Sequence, residues 1–140
     1  MPNSLSADDL QFKTRVESGE LPPADFSHRA HVRLAWVYLA GNDAETAHAQ
    51  MRATLLRFLE RHGIDPAKYH ETITRAWILA VRHFLARTPD CATAAEFLER
   101  NPALLDSKIM LTHYSKDLLF SPAARREFVE PDRDPIPRHT

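Results

Sequence analysis

Three histidines stand at the starts of two predicted helices, where an imidazole could bind a metal ion or move a proton. His28 and His31 are one helical turn apart, and His70 opens a second amphipathic segment. At about 100° per residue, all three are expected to face the apolar side of their helices. Neutral imidazole is the commonest metal ligand, and three such ligands leave one coordination position open for water or substrate. The pattern predicts a buried three-histidine site for zinc or iron, because Mg²⁺ and Ca²⁺ prefer oxygen ligands.

The same three histidines have two other interpretations. The positive end of a helix and burial both keep an imidazole neutral, which suits a general base near neutral pH. A buried histidine is also often a core residue held by hydrogen bonds. The H-x-x-H spacing does not separate these interpretations, because two histidines three residues apart occur by chance in a chain that has eight.

Glu71 and Tyr114 are the candidates for moving a proton or contacting a substrate. Glu71 follows His70 directly, but it also stands four residues before Arg75, a spacing typical of a surface ion pair. Tyr114 could offer its hydroxyl to a pocket, or it could anchor the junction between two C-terminal helices. We expect Glu71 to belong to the pocket, because a convergent site needs a group that moves protons.

Two adjacent arginines near the C-terminus offer positive charge. Arg125 and Arg126 could clamp a carboxylate or a phosphate group. Surface pairing with nearby acidic residues is the simpler interpretation, and the expected partners are Glu127, Glu130 and Asp132.

Helix-start and helix-end residues divide most of the chain into helices. Gly19, Gly41 and Gly63 each follow an apolar-periodic segment, where a left-handed residue would end a helix. Proline after a capping residue, as in Asp65-Pro66, marks a helix start. The sequence predicts one all-α domain, a multi-helix bundle over residues 1–130, with an extended proline-rich tail over 131–140. The predicted helices lie near residues 6–18, 28–40, 44–62, 66–87, 94–100, 102–113, 116–120 and 122–129.

Composition excludes several classes of protein. Lys and Arg total 18 against 19 Asp and Glu, so the chain lacks the broad positive surface of a nucleic-acid or membrane-surface binder. The single cysteine, Cys91, excludes a disulfide framework, and three glycines exclude a P-loop or a dinucleotide-binding fingerprint. The longest apolar stretch is too short to span a membrane, and residues 1–20 carry no signal peptide. We therefore expect a cytoplasmic protein that binds neither nucleic acid nor membrane.

Three segments of the chain carry a resemblance: FSHRAHVRLAW, KYHETITRAW and YSKDLLFSPAARREFVEPD. They resemble a group of small, mostly uncharacterised all-helical bacterial proteins with F-S-H-x-x-H, Y-H-E-T and Y-S…S-x-x-A-R elements. The resemblance covers residues 24–137 and implies an all-helical fold but no particular reaction. It also implies that one shared pocket contains the recurring residues, which are His28, His31, Tyr69, His70, Glu71 and Tyr114.

The leading hypothesis is a small metal-dependent enzyme that acts on a small molecule at His28, His31 and His70. Glu71 or Tyr114 would carry a proton or contact the substrate, and hydrolysis, oxidation and isomerisation are all open. The alternative is a non-enzymatic helical module that binds a small ligand or a partner protein, with the buried histidines structural. A metal-free enzyme that uses one of the same histidines as a general base is a third possibility.

Overall fold

Seven α-helices form most of the part of the chain that the computed structural model describes, residues 5–139. No β-strand occurs in that range, which confirms the predicted all-α fold. None of these seven helices combines the length and the apolar character that crossing a membrane requires. The helices are α1 (Ala7–Ser18), α2 (His28–Leu39), α3 (Ala44–Arg61), α4 (Glu71–Arg87), α5 (Ala94–Arg100), α6 (Lys116–Leu119) and α7 (Pro122–Arg126). Short 3₁₀ segments connect them at Pro23–Asp25, Pro66–Lys68, Pro102–Leu105 and Ser107–Thr112.

Most of the helices begin at a side chain that caps them. Ser27 precedes α2, and its hydroxyl oxygen accepts a hydrogen bond from the backbone N–H of Ala30. Asp43 and Thr93 cap α3 and α5 in the same way. Each cap satisfies a backbone donor that has no partner inside the helix, so polar residues locate helix starts in a sequence. Gly19 ends α1 in the left-handed conformation, with a φ of 82°.

The start of α4 differs from the prediction. The helix begins at Glu71 rather than at residue 66, because Tyr69 has an extended backbone and His70 is the N-cap. The Asp65-Pro66 pair starts only the short 3₁₀ segment. This shift changes the role of His70 from a residue inside the helix to the residue that caps it.

Two predicted helices in the C-terminal third also differ. The predicted helix over 102–113 is two 3₁₀ segments, because Asp106 has an extended backbone and its carboxylate caps the second segment. The predicted helix over 122–129 ends at Arg126, since the backbone of Glu127 is extended. These breaks turn the C-terminal third into short pieces that wrap around the longer helices.

Helix α2 lies at the centre of the core and contacts α1, α3, α4 and α5. Every side chain from Leu34 to Leu39 is buried, so the helix is enclosed on nearly all sides. The hydroxyl of Tyr38 donates to the carboxylate of Glu17 at 2.6 Å and lies 2.6 Å from the hydroxyl of Thr54. This pair of contacts joins α1, α2 and α3 inside the core and gives the buried phenol its partners.

Residues 131–139 contain neither helix nor strand, and they pack against the helices. The side chain of Ile136 is buried. The backbone N–H of Arg133 donates to the carbonyl of His113 at 2.9 Å, and a ring nitrogen of His139 lies 2.9 Å from one of His83 on α4. The sequence predicted the extended backbone of this tail but not its docking.

Candidate functional site

The structure brings His28, His31 and His70 to the wall of one cavity of about 590 Å³. The cavity lies where α2 and α4 begin, and residues from α3 and α7 complete its wall. The size falls within the range of about 300–1,000 Å³ that is usual for small-molecule sites. The three predicted histidines therefore share one environment, but their nitrogens have different roles in it.

His70 has both ring nitrogens engaged by the backbone. Its Nδ1 accepts a hydrogen bond from the N–H of Ile73 at 3.1 Å and so caps α4. Its Nε2 lies 2.7 Å from the carbonyl oxygen of Leu119, which can only accept, so Nε2 carries the proton. Burial lowers the pKa of His70, so the ring is neutral. His70 ties the start of α4 to the end of α6.

His28 has one nitrogen engaged in the same manner. Its Nε2 donates to the carbonyl oxygen of Leu104 at 3.0 Å, which joins the start of α2 to the 3₁₀ segment Pro102–Leu105. The ring also packs edge-on to the indole of Trp77, with 4.7 Å between ring centres. The remaining nitrogen, Nδ1, is the acceptor nitrogen of this tautomer.

His31 differs from the other two histidines. Its Nε2 is buried and has no hydrogen-bond partner among residues 5–139. Burial, reinforced by the neighbouring His28, lowers the pKa of His31 to about 4, so the ring is neutral at physiological pH. The ring of Phe26 packs at its side, 6.1 Å away between centres. Among the three cavity histidines, only His31 has a buried ring nitrogen without a hydrogen-bond partner in residues 5–139.

These hydrogen bonds oppose the predicted zinc or iron site. A metal ligand must present a nitrogen lone pair, and His70 uses its lone pair on Ile73 and its proton on Leu119. In the described part of the chain, no group of three or more His, Cys, Asp or Glu side chains is arranged to hold a metal ion. A three-histidine site would require His70 to give up a backbone hydrogen bond, and the cap of α4 or the contact with Leu119 would be lost.

We expect protein prepared without a histidine tag or a nickel column to contain well below one equivalent of zinc or iron. Treatment with a chelator is expected to leave its Tm unchanged, because no folded element depends on a metal. Elemental analysis by mass spectrometry, with a thermal melt before and after chelation, measures both quantities. Stoichiometric metal that disappears in His31→Ala would restore the predicted metal centre.

Glu71 lies behind the cavity rather than in its wall. The hydroxyl of Tyr69, which does line the cavity, donates to Oε1 of Glu71. On α3, His48 Nε2 lies 3.4 Å from Oε2 and Arg52 Nε lies 3.7 Å from Oε1. The Glu71 side chain is 16% exposed, so it belongs to the protein interior at the edge of the cavity.

The surface pair between Glu71 and Arg75, which was the alternative to a pocket role for Glu71, does not form. Arg75 instead pairs with Glu45 at 2.8 Å, one turn before His48 on α3. Both Glu71 and Arg75 on α4 therefore find their oppositely charged partners on α3. These contacts between helices replace the i,i+4 contact within α4. The i,i+4 rule describes an isolated helix, and the side chains of α3 supply the competing partners here.

Tyr114 lies outside the cavity, which corrects its prediction as a pocket residue. Its side chain is fully buried, and its hydroxyl donates to the carbonyl oxygen of Val129 at 2.7 Å. Burial, with Glu130 nearby, raises the pKa of Tyr114 to about 12. The residue anchors the extended segment that follows α7 and contacts none of the cavity histidines through hydrogen bonds.

The cavity wall is mainly apolar, with two cations. Arg125 on α7 donates from Nη1 to the carbonyl oxygen of Ala67 at 2.9 Å, which places its guanidinium against the residue that precedes Lys68. The predicted pairing of Arg125 with acidic neighbours is absent among residues 5–139. No local sequence pattern indicates this contact, which joins residues 58 positions apart. The apolar lining side chains are Phe26, Leu55, Phe58, Leu59, Ile64, Ile73 and Phe120.

A larger cavity of about 1150 Å³ is lined by the C-terminal end of α2, by α4 and by the tail. It contains none of the three predicted histidines. Its charges are largely compensated within the protein, since Arg75 pairs with Glu45 and Arg138 pairs with Glu130. The indole nitrogen of Trp36, which lines this cavity, also lacks a hydrogen-bond partner among residues 5–139. The smaller cavity is the better candidate site because it brings the three predicted histidines together.

The candidate site combines apolar walls, one uncommitted imidazole and two cations at one edge. Such a site can enclose an apolar molecule and hydrogen-bond a polar atom on it. Comparisons of the chain with family models, with curated proteins and with solved structures found no match. The function is therefore argued from this geometry.

Proposed function

We propose that the protein binds a small, largely apolar organic molecule in the cavity between the starts of α2 and α4. The observation that carries this proposal is Nε2 of His31, a buried polar atom without a hydrogen-bond partner in a cavity of suitable size. Buried polar atoms in folded proteins nearly always have a partner, and leaving one without costs about 1–3 kcal/mol. A polar atom of a bound molecule would supply the missing hydrogen bond.

The apolar walls favour a molecule with an extended hydrophobic surface. Phe26 packs on Phe58 with 5.3 Å between ring centres, and both rings line the cavity. Phe120 also lines it while remaining 59% exposed, which is unusual for so large an apolar side chain. Burial of this surface by a ligand would provide the main favourable contribution to binding.

Binding is favoured over metal-dependent catalysis by the hydrogen bonds of the histidines. The metal-dependent enzyme needs three imidazoles with free lone pairs, whereas His70 has none free. A metal-free reaction would use His31, the only one of the three with an uncommitted buried nitrogen, as the proton acceptor. Its lowered pKa makes it a weak base until a ligand with a negative charge or a hydrogen-bond acceptor approaches.

The test uses N-phenyl-1-naphthylamine, an uncharged fluorescent molecule with two aromatic units and one N–H donor. We expect one molecule to bind per chain with increased and blue-shifted fluorescence. Leu55→Trp places a larger side chain in the cavity wall and should weaken binding about tenfold or more. Fluorescence titration measures the Kd, and circular dichroism verifies that the variant is folded.

Leu10→Trp is the matched control, because Leu10 is an exposed leucine on α1 that lines neither cavity. It introduces the same indole but should leave the Kd unchanged. If a folded Leu55→Trp protein binds the probe as tightly as the parent does, the cavity is not the binding site and the proposal fails.

A further inference from the structure

We infer that the molecule bound in this cavity is an organic anion, with its charged group held by Lys68 and Arg125 and its apolar body inside. This inference rests on the proposed function, since it specifies the class of molecule that the same cavity takes. It follows from the distribution of charge around the cavity and from the depth at which each polar group lies.

The side chains that line the cavity include two permanent cations and no carboxylate. Neither Lys68 nor Arg125 forms an ion pair with any carboxylate of residues 5–139. A negatively charged group on the ligand would be the missing counter-ion.

The fold brings the two cations to the wall of the same cavity. The bond from Arg125 to the carbonyl oxygen of Ala67 fixes the guanidinium beside the residue that precedes Lys68. Asp65 and Glu71 are each three residues from Lys68, but the carboxylate of Asp65 accepts from the N–H of Ala67, that of Glu71 accepts from the hydroxyl of Tyr69, and neither lines the cavity. The positive charge at this edge is therefore not neutralised by the turn that carries it.

The two helices that begin at the cavity, α2 and α4, add to the positive potential there. Ser27 and His28 at the start of α2 line the cavity, as does His70 at the start of α4. A helix N-terminus carries about half a unit of positive charge. The nearest imidazoles, His31 and His70, are neutral because burial lowers the pKa of each, so they accommodate an anion without adding a fixed charge.

The depth of the polar groups gives the orientation of the ligand. Lys68 and Arg125 are exposed, so they lie where the cavity opens to solvent, whereas Nε2 of His31 is buried. Phe120, which is also exposed and lines the cavity, follows Leu119, whose carbonyl oxygen is bonded by His70. The anionic group is therefore at the mouth, and the apolar body extends inward to His31.

Two fluorescent probes with the same aromatic skeleton test this inference. N-Phenyl-1-naphthylamine is uncharged, and 8-anilinonaphthalene-1-sulfonate adds one sulfonate to the same rings and N–H group. We expect the sulfonate to bind about tenfold more tightly than the uncharged probe at low salt. Added sodium chloride should weaken binding of the sulfonate and leave the uncharged probe unaffected.

Charge removal at the mouth provides the second comparison. The double variant Lys68→Gln, Arg125→Gln should abolish the roughly tenfold preference for the sulfonate and change the Kd of the uncharged probe less than about twofold. Arg126→Gln is the matched control, because Arg126 is an equally exposed arginine of α7 that does not line the cavity. It should leave both dissociation constants unchanged.

The outcomes separate this inference from the proposed function. If Leu55→Trp weakens both probes but the sulfonate has no preference, the cavity binds apolar molecules and the inference of an anion is wrong. If the preference for the sulfonate persists in the double variant or disappears in Arg126→Gln, groups other than Lys68 and Arg125 bind the sulfonate. The inference is then also overturned. If neither probe responds to Leu55→Trp, the proposed function itself is wrong.

Discussion

Replacing His70 by leucine is expected to lower the free energy of unfolding by about 2–4 kcal/mol. The substitution removes the N-cap of α4, which normally contributes about 1 kcal/mol. It also leaves the carbonyl oxygen of Leu119 without its donor in a buried setting, which costs about 1–3 kcal/mol. Urea denaturation followed by far-ultraviolet circular dichroism measures the change, and the folded baseline should remain helical.

His70→Asn separates the two contributions of the imidazole. The asparagine oxygen can accept the hydrogen bond from Ile73 and restore the cap, but the shorter side chain does not reach Leu119. We expect this variant to recover about 1 kcal/mol relative to His70→Leu. If His70→Leu is as stable as the parent, the two backbone hydrogen bonds do not hold α4 to α6.

The fold was predictable wherever local chemistry decides it. Ser27, Asp43 and Thr93 cap their helices through bonds to residues three positions later, so a short stretch of sequence contains the whole interaction. The start of α4 was not predictable in this way. Its cap is a histidine whose other nitrogen bonds a carbonyl 49 residues away, and such a pairing leaves no mark in the local pattern.

The three histidines of the cavity were predictable, but their roles were not, and neither was the position of Glu71 and Tyr114 outside the cavity wall. Helical spacing alone indicated that His28, His31 and His70 face inward, and all three line one cavity. Spacing does not reveal which ring nitrogen hydrogen-bonds a backbone carbonyl oxygen. Those hydrogen bonds are what oppose the metal site. Glu71 shows the same limit, because its partners His48 and Arg52 come from a different helix.

The cations of the cavity show why the partners of charged side chains were harder to predict than the burial of apolar ones. Hydrophobic periodicity is repeated over many residues and tolerates a local error. The role of Arg125 instead depends on one contact with Ala67, and acidic residues closer in sequence were the obvious alternatives. Long side chains can reach several partners, so their pairing is decided by tertiary structure.

His31→Phe is expected to remove a large part of the acid sensitivity of the folded state. The pKa of His31 is lowered from 6.5 to about 4, so at intermediate pH the unfolded chain binds a proton that the folded protein does not. Stability is therefore full above pH 6.5 and falls as the pH drops toward 4. For a shift of this size the loss amounts to about 3 kcal/mol. Phenylalanine does not titrate, so the variant should lose correspondingly less over the same range.

The comparison isolates His31, because His48, His70 and His83, whose pKa values are also lowered, are present in both proteins. At pH 7.5 the variant should be about as stable as the parent or more stable, since it removes a buried nitrogen that has no partner. Urea denaturation at several pH values between 7.5 and 4 gives the difference in stability, and proton NMR of the imidazole gives its titration midpoint directly. A midpoint near 6.5, or parallel stability curves for the two proteins, would show that Nε2 of His31 is hydrated. Water would then satisfy the nitrogen, and the cavity would need no ligand to do so.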